Sequence, residues 1–413
     1  MSTPAFQTNN TIHSNTRAEL VLIRAYENGA YLTTGKSYLG DQLEGKRDGQ
    51  SYEFVIRDSG EYVEGMDISN VGSDAIKERK VTKKIRIGNT KVSTNLIEKV
   101  TDLNWEQEVA ETYGRQVIEG LIRNTIKDDL GLQNVAFVGQ GFLPLFKATN
   151  YLKSVSSEDQ FAFVDPNVDS IMQAAGKSWN PAENVAPRFQ NDLKGTIGKA
   201  MVYGQNGLPN LEISAALATQ LASATVTSYA LDVNDPTKAT LTLSGVTEVI
   251  PMGTPLFISG VYAADLLGNK TNFLKAWIAT EDSANGAVKV KAVDFAGQGT
   301  KEVCNADGKN IDPAKDLAGK ALSNPIKEGV YFTGIFRTKG AMEFDTLKEL
   351  DWSNAEDRVS TPDGVTLHTG RANKILEGEN KTRFTIAAVA GIVEPRCAAY
   401  VCIKDATANL IAM

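Results

Sequence analysis

The clearest rhythm in this chain is helical: Trp105, Val109, Tyr113, Val117 and Leu121 recur at four-residue steps. Ala110, Ile118, Ile122 and Ile126 widen the same apolar face. Asn104 stands where an N-cap belongs, with Gln107 in the capping-box position, and Gly131 offers a stop after Leu130. At about 1.5 Å per residue such a helix reaches roughly 39 Å. Other stretches alternate instead. Tyr52–Arg57 and Arg79–Ile87 predict the two sides of a long ribbon, and the acidic, glycine-bearing run Asp58–Asp67 suits its tip. Before it, residues 1–36 read as an extended arm with one short element at Leu20–Tyr26.

Between Thr225 and Glu328 the pattern changes again. The short runs Ala239–Gly245, Pro255–Val261, Phe273–Thr280 and Ala287–Val293 are each bounded by Gly, Pro, Asn or Asp. This spacing predicts a small antiparallel barrel or sandwich, self-contained enough to fold as an excised fragment. Gly329–Phe336, Arg383–Ala390 and Ala398–Ile403 then read as strands with which the chain re-enters the domain it left. The divisions expected are an arm (1–36), an extended loop (37–97), the long helix with a peripheral domain (98–134), the first part of an axial domain (135–224), the insertion (225–328) and returning strands (329–413). No tandem repeat or low-complexity tract interrupts this order.

Three stretches carry a family likeness. Gly253–Asp265, the turn Gly268-Asn-Lys270 and Phe273–Thr280 together resemble the insertion domain of coat proteins from P22-like tailed phages, with Thr254 standing where that family has Asp. Asn191–Tyr203 followed by Asn206-Gly-Leu-Pro209 resembles the family's Gly-x-Ile-Gly segment and its following turn, and Phe161–Asn167 resembles a strand and Asp-Pro turn that precede a helix there. The likeness covers residues 36–403 loosely. It implies an α+β HK97-like capsid fold: N-arm, extended loop, spine helix, peripheral and axial domains, and an inserted small antiparallel β-barrel. It also implies hexamers and pentamers in an icosahedral shell around double-stranded DNA, with scaffolding and portal proteins as partners.

Charge and composition narrow the function classes. The 413 residues suffice for two to four domains, and 50 acidic against 43 basic residues leave a net charge of −7. A protein gripping phosphates over its whole surface would be basic. The first ten residues lack the basic opening and apolar core of a secretory signal, so a protein made in the cytosol is expected. The longest apolar stretch, Phe384–Val393, is shorter than the roughly 20 residues of a membrane helix. Cys304, Cys397 and Cys402 form no CxxC pair, and the last two, about 16 Å apart along an expected strand, predict buried reduced thiols.

The catalytic candidates are near misses. Thr34-Gly-Lys-Ser37 imitates the end of a phosphate-binding loop, but Ala30 stands where the earlier glycine belongs and a ribbon, not a helix, is expected to follow. Gly139-Gln-Gly141 imitates a dinucleotide fingerprint, but Pro144 holds the third glycine's place, so a plain turn is expected. His13 and His368 are the only histidines; His13 lacks a positioned neighbourhood, His368 reads as a solvated or hydrogen-bonded strand residue, and zinc lacks grouped ligands. Asp128-Asp129 is expected to be solvated. No catalytic residue, cofactor or metal is assigned, and the chain is read as no enzyme.

One charged surface remains. Along a strand, Lys80, Thr82, Lys84 and Arg86 share one face, while Val81, Lys83, Ile85 and Ile87 share the other. This basic run reads either as a solvated edge that resists aggregation or as a contact with a neighbouring subunit, for which Asp58, Glu61, Glu64 and Asp67 are the available acids. Nucleic-acid binding lacks the aromatic row of a stacking groove. Taken whole, a self-assembling major capsid protein competes with a multidomain hydrolase or nucleotide-binding enzyme with an unrecognised site, and with a surface or tail-fibre protein.

Overall fold

The computed structural model describes residues 19–37, 51–57, 78–93, 111–168, 193–293, 302–309, 311–347, 355–360, 365–371 and 381–405. The chain opens with helices α1 (19–28) and α2 (Ala30–Thr33), then strands β1 (Ser51–Arg57) and β2 (Glu78–Ser93), and the long helix α3 (Glu111–Asp129). Next come β3 (Val135–Gln140), α4 (Leu143–Val155), β4 (Gln160–Val164), β5 (Leu193–Ile197), β6 (Ala200–Gly204), β7 (Leu211–Ile213) and α5 (Ala215–Ser223). The insertion contributes β8 (Thr225–Leu231), β9 (Lys238–Ser244), β10 (Pro255–Ala264), β11 (Lys270–Ile278), β12 (Ala287–Lys291), β13 (Val303–Cys304) and α6 (Pro313–Asp316). The return strands are β14 (Gly329–Thr338), β15 (Met342–Thr346), β16 (Ala355–Ser360), β17 (Thr366–Arg371), β18 (Lys381–Ile392) and β19 (Ala398–Lys404). The architecture is mixed α and β, in two compact units: residues 1–52, 82–125 and 343–391, and residues 53–81, 126–342 and 392–413.

One six-stranded sheet has the order β1-β2-β18-β17-β16, with β15 also on β18. β18 is the apolar run Phe384–Val393 almost in full; its Phe384, Ile386 and Val389 are buried, so that hydrophobicity belongs to a core strand. The apolar stretch Leu20–Tyr26 is the middle of α1, so the supposed arm is helical from 19 to 28 and again at Ala30–Thr33. Val21, Leu22, Ala25, Tyr31 and Leu32 are all buried. Glycines let backbones meet here: a Cβ on Gly114 of α3 would stand 2.8 Å from both the Ala25 nitrogen and the Val21 oxygen of α1.

Strand β2 makes a still closer approach. A Cβ on Gly88 would fall 2.3 Å from the Val117 carbonyl oxygen of α3 and 3.0 Å from Leu121 Cγ. The obstacle is helix backbone, which cannot swing aside as a side chain does. Gly88→Ala is therefore expected to cost about 1–3 kcal/mol by overpacking, read as a lower denaturation midpoint; a variant as stable as the parent would show that strand and helix have room to separate.

Helix α3 presents the expected face. Val117, Ile118, Leu121, Ile122 and Ile126 are buried, and the helix ends where a glycine was expected to end it. Gly131 has φ +92°, a left-handed conformation that costs glycine little, and its N–H donates to Gln133 Oε1 at 3.1 Å. Asn104, Trp105, Gln107, Val109 and Ala110 lie outside the described residues.

The second unit is built on a seven-stranded sheet, order β3-β19-β14-β4-β6-β5, with β7 also on β14. The β3–β19 and β4–β6 pairs are parallel, and the others antiparallel. Helix α4 covers one face, setting Leu145, Ala148, Tyr151 and Leu152 against Val135, Phe137, Val164, Val202 and Val401. Each fully buried Leu contributes about 1.5–3 kcal/mol, so this face holds the helix on the sheet. The expected Asp-Pro turn closes β4: Asp165 Oδ1 accepts from the Asn167 N–H at 2.8 Å, and residues 166–168 are helical. The Gly-x-Ile-Gly segment is β5 and its turn into β6, with Gly198 at φ +60°.

The insertion forms two three-stranded antiparallel sheets, β11-β10-β13 and β12-β9-β8. Leu241, Val288, Leu256, Trp277 and Ile278 are buried in them. The insertion also packs against its neighbours. Ala263 belongs to the core between α4 and the seven-stranded sheet, and Phe273 packs against that core, edge-on to Phe137 and Tyr151 at 5.3 and 5.5 Å. The physical reason is that β11 has two apolar sides, and one of them faces outside its own sheet pair.

Candidate functional site

The basic strand takes the pattern its sequence implies. Along β2, Thr82 and Lys84 are exposed, Val81, Lys83, Arg86 and Ile87 half-buried, and Ile85 buried at 4% exposure. Pairing with β18 begins at Ile85↔Val389 and runs to Ser93↔Lys381. The segment Glu78–Lys84 therefore extends beyond the pairing with β18, and β1 is the other neighbour of β2 in the sheet. Lys80, Lys83 and Lys84 lie on that overhang, whereas Arg86 lies in the paired part, opposite Ala388. Asp58, Glu61, Glu64 and Asp67 lie outside the described residues.

The other chemical candidates resolve into structural roles. Thr34 caps the helical turn through Oγ1, 2.6 Å from the Ala30 carbonyl oxygen, and Lys36 forms a parallel bridge with Glu343. A helix precedes Gly35-Lys36, whereas a phosphate-binding loop follows a strand. Gly139-Gln-Gly141 does stand in a strand, turn and helix, with Gly141 at φ +61°. Pro144, however, is buried in the first turn of α4, its Cγ 3.0 Å from where a Cβ on Gly139 would be. It removes an N–H donor from the helix start, so the phosphate cradle is incomplete. The expected turn is present, yet Pro144 does not hold the helix off the sheet; it fills the contact.

Two expectations need correction, and one alternative is settled. Asp129 is not solvated: it is fully buried, and its Oδ1 accepts from the Ile392 N–H at 2.7 Å. Cys397 is not in a strand but in the 3₁₀ turn Pro395–Cys397 that precedes β19. Its thiol and those of Cys304 and Cys402 are buried, as expected, and burial pushes Cys397 up to about 12 and Cys402 higher still. His368 is not solvated but is the hydrogen-bonded strand residue of β17: it is buried, with Nε2 2.9 Å from the Leu347 carbonyl oxygen. His13 lies outside the described residues. Among the described residues no group of three or more His, Cys, Asp or Glu is arranged to hold a metal ion, and no helix is long and apolar enough to cross a membrane.

His368 gives the first unit a pH dependence. Burial lowers its pKa below the ordinary 6.5, the Leu347 hydrogen bond opposes this, and Arg358 adds to the lowering. The unfolded chain therefore binds the proton more readily than the folded one. Its contribution is fully present above pH 6.5 and is lost as pH falls through the lower folded value. The unfolding midpoint is expected to drop between pH 7 and pH 5 by a component that His368→Gln removes; identical pH slopes for parent and variant would refute it.

A buried polar cluster in the second unit was not anticipated from the sequence. Lys275 Nζ lies 3.0 Å from Asn134 Oδ1 and 3.6 Å from Glu302 Oε2, with Lys275 and Glu302 at 2% and 4% exposure. Nearby, Arg396 Nε and Nη2 grip Glu394 at 2.8 and 2.9 Å. One signal was available: Lys275 shares strand parity with Phe273 and Trp277, so it points the same way as two aromatic residues.

No known family's sequence profile matches the chain, and no curated protein matches it. Solved structures do. The capsid of Ralstonia phage GP4 is similar at 8% identity, covering 90% of this chain and 87% of that one, with a TM-score of 0.41. A structure from Mycobacterium phage Che8 aligns at 11% identity over 89% of each chain, TM-score 0.36. A virus-like particle from Pyrococcus furiosus aligns at 8% identity over 93% and 98%, TM-score 0.36.

Proposed function

We propose that this chain is a shell-forming subunit, the major capsid protein of a tailed phage. The observation that carries the reading is the ribbon: β2 runs seven residues, Glu78–Lys84, beyond its pairing with the strand that anchors it, and presents Lys84 to solvent. A strand segment that runs past its pairing with β18 makes sense where a neighbouring copy meets it. Supporting this are the order of elements (ribbon, long helix, mixed sheet, inserted β sheets, return strands) and the sequence likeness to P22-like coat proteins.

Under this reading the subunits associate as hexamers and pentamers into an icosahedral shell around double-stranded DNA, helped by scaffolding and portal proteins. Lys80, Lys83, Lys84 and Arg86 would meet Asp58, Glu61, Glu64 and Asp67 of a neighbour, and the insertion would act as a lateral clasp. The acidic balance of the chain, −7 overall, fits a wall that encloses nucleic acid without gripping it by sequence. Negative-stain images of the purified chain test the proposal. Shells or ring-shaped capsomers are expected; compact monomers would favour the multidomain enzyme, and rods a fibre protein.

A further inference from the structure

Asn134, fully buried between α3 and β3, uses every polar group it has. Its N–H donates to the carbonyl oxygens of Pro395 and Ala398 at 3.2 and 3.1 Å, and its own carbonyl accepts from the Ala276 N–H at 3.1 Å. Nδ2 donates to the Ala264 carbonyl at 2.9 Å and to Tyr151 Oη at 3.3 Å, while Oδ1 accepts from Lys275 Nζ at 3.0 Å. Tyr151 Oη in turn donates to the Arg396 carbonyl at 2.8 Å. Partners thus arrive from α4, from both long strands of one insertion sheet and from the return segment.

We propose that Asn134 is a latch that fastens the β10-β11-β13 sheet of the insertion to the seven-stranded sheet, so that the two open and close as one body. An apolar contact at this place would tolerate sliding. A buried amide with all its partners does not: a loosened but still dry seat leaves the Asn134 carbonyl and Oδ1, one Nδ2 hydrogen, the Ala264 carbonyl and the Ala276 N–H unsatisfied together, each at the cost of its lost hydration. Intermediate seatings are therefore disfavoured, and the insertion is either fully seated or fully released. Glu302 moves with the insertion sheet, since its carboxylate faces Lys275 and its carbonyl accepts from the Ala264 N–H at 2.9 Å. The latch does not depend on the shell reading.

Native-state hydrogen exchange on the full chain tests it. In the wild-type chain the amides of Ala264 and Ala276 are expected to exchange at the same rate as those of β14 and β19 in the seven-stranded sheet. In Asn134→Ala they are expected to separate, the insertion amides becoming about tenfold faster or more, with amides of β18 in the first unit unchanged. Wild-type insertion amides already about tenfold faster than β14 and β19 would overturn the proposal without any variant. So would an Asn134→Ala chain in which the two groups still exchange together. If that variant fails to fold, Asn134→Asp keeps an acceptor for Lys275 but removes the donor to Ala264 and Tyr151, and the same separation is expected.

Discussion

Arg396→Ala is expected to destabilise the second unit by about 3–5 kcal/mol, the range for breaking a buried ion pair by removing one partner. Arg396 is 1% exposed and holds Glu394 through two bonds, Nε at 2.8 Å and Nη2 at 2.9 Å. Its Nη1 reaches the Leu266 carbonyl of the insertion at 3.2 Å. Alanine leaves a carboxylate and a carbonyl oxygen in low dielectric with those donors gone, and that penalty, more than the lost attraction, sets the size of the effect. Arg396→Lys keeps the charge but lacks the planar fork, so it should fall between parent and alanine. Pairing Arg396→Met with Glu394→Gln should recover much of the loss, since no ion is then stranded. Denaturant midpoints at constant slope measure all three; a loss under about 1 kcal/mol for alanine would mean that water reaches Glu394.

The features legible in the sequence are those set by near neighbours along the chain. The face of α3 and its stop at Gly131 follow from local periodicity and from a position that needs φ > 0. The run at Leu20–Tyr26 was legible as an element but not as a helix, because a short apolar stretch fits either state; packing against α3 decides it. What could not be read depends on residues far apart in sequence. Asp129 looks like a solvated acid until the Ile392 N–H, 263 residues on, points at it. Lys275 looks like an exposed strand lysine until Asn134, 141 residues earlier, accepts from it. Of the proposed surface, the alternation along β2 was legible because it is a property of one strand, whereas its partner belongs to another molecule in the proposed shell.

Reversing the charge of that strand should leave the subunit folded and stop it from assembling. In the triple variant Lys80→Glu, Lys83→Glu, Lys84→Glu the monomer loses little, since exposed charges contribute only about 0–1 kcal/mol each; Lys84 is exposed and Lys83 half-buried. A shell repeats each contact many times, so a small unfavourable change per interface accumulates over the particle. The expected result is a soluble chain with the parent's unfolding midpoint and few or misshapen particles by electron microscopy and sedimentation. Changing Glu61, Glu64 and Asp67 to Lys in the same chain should restore part of the yield, because the reversed pair again attracts. High salt should weaken the parent's assembly, as screening shortens the reach of such pairs to about 8–10 Å or less. Normal particles at parental yield from the triple variant, at low and high salt alike, would reduce these lysines to solubility features. The shell proposal would then stand on the order of elements and the sequence likeness alone.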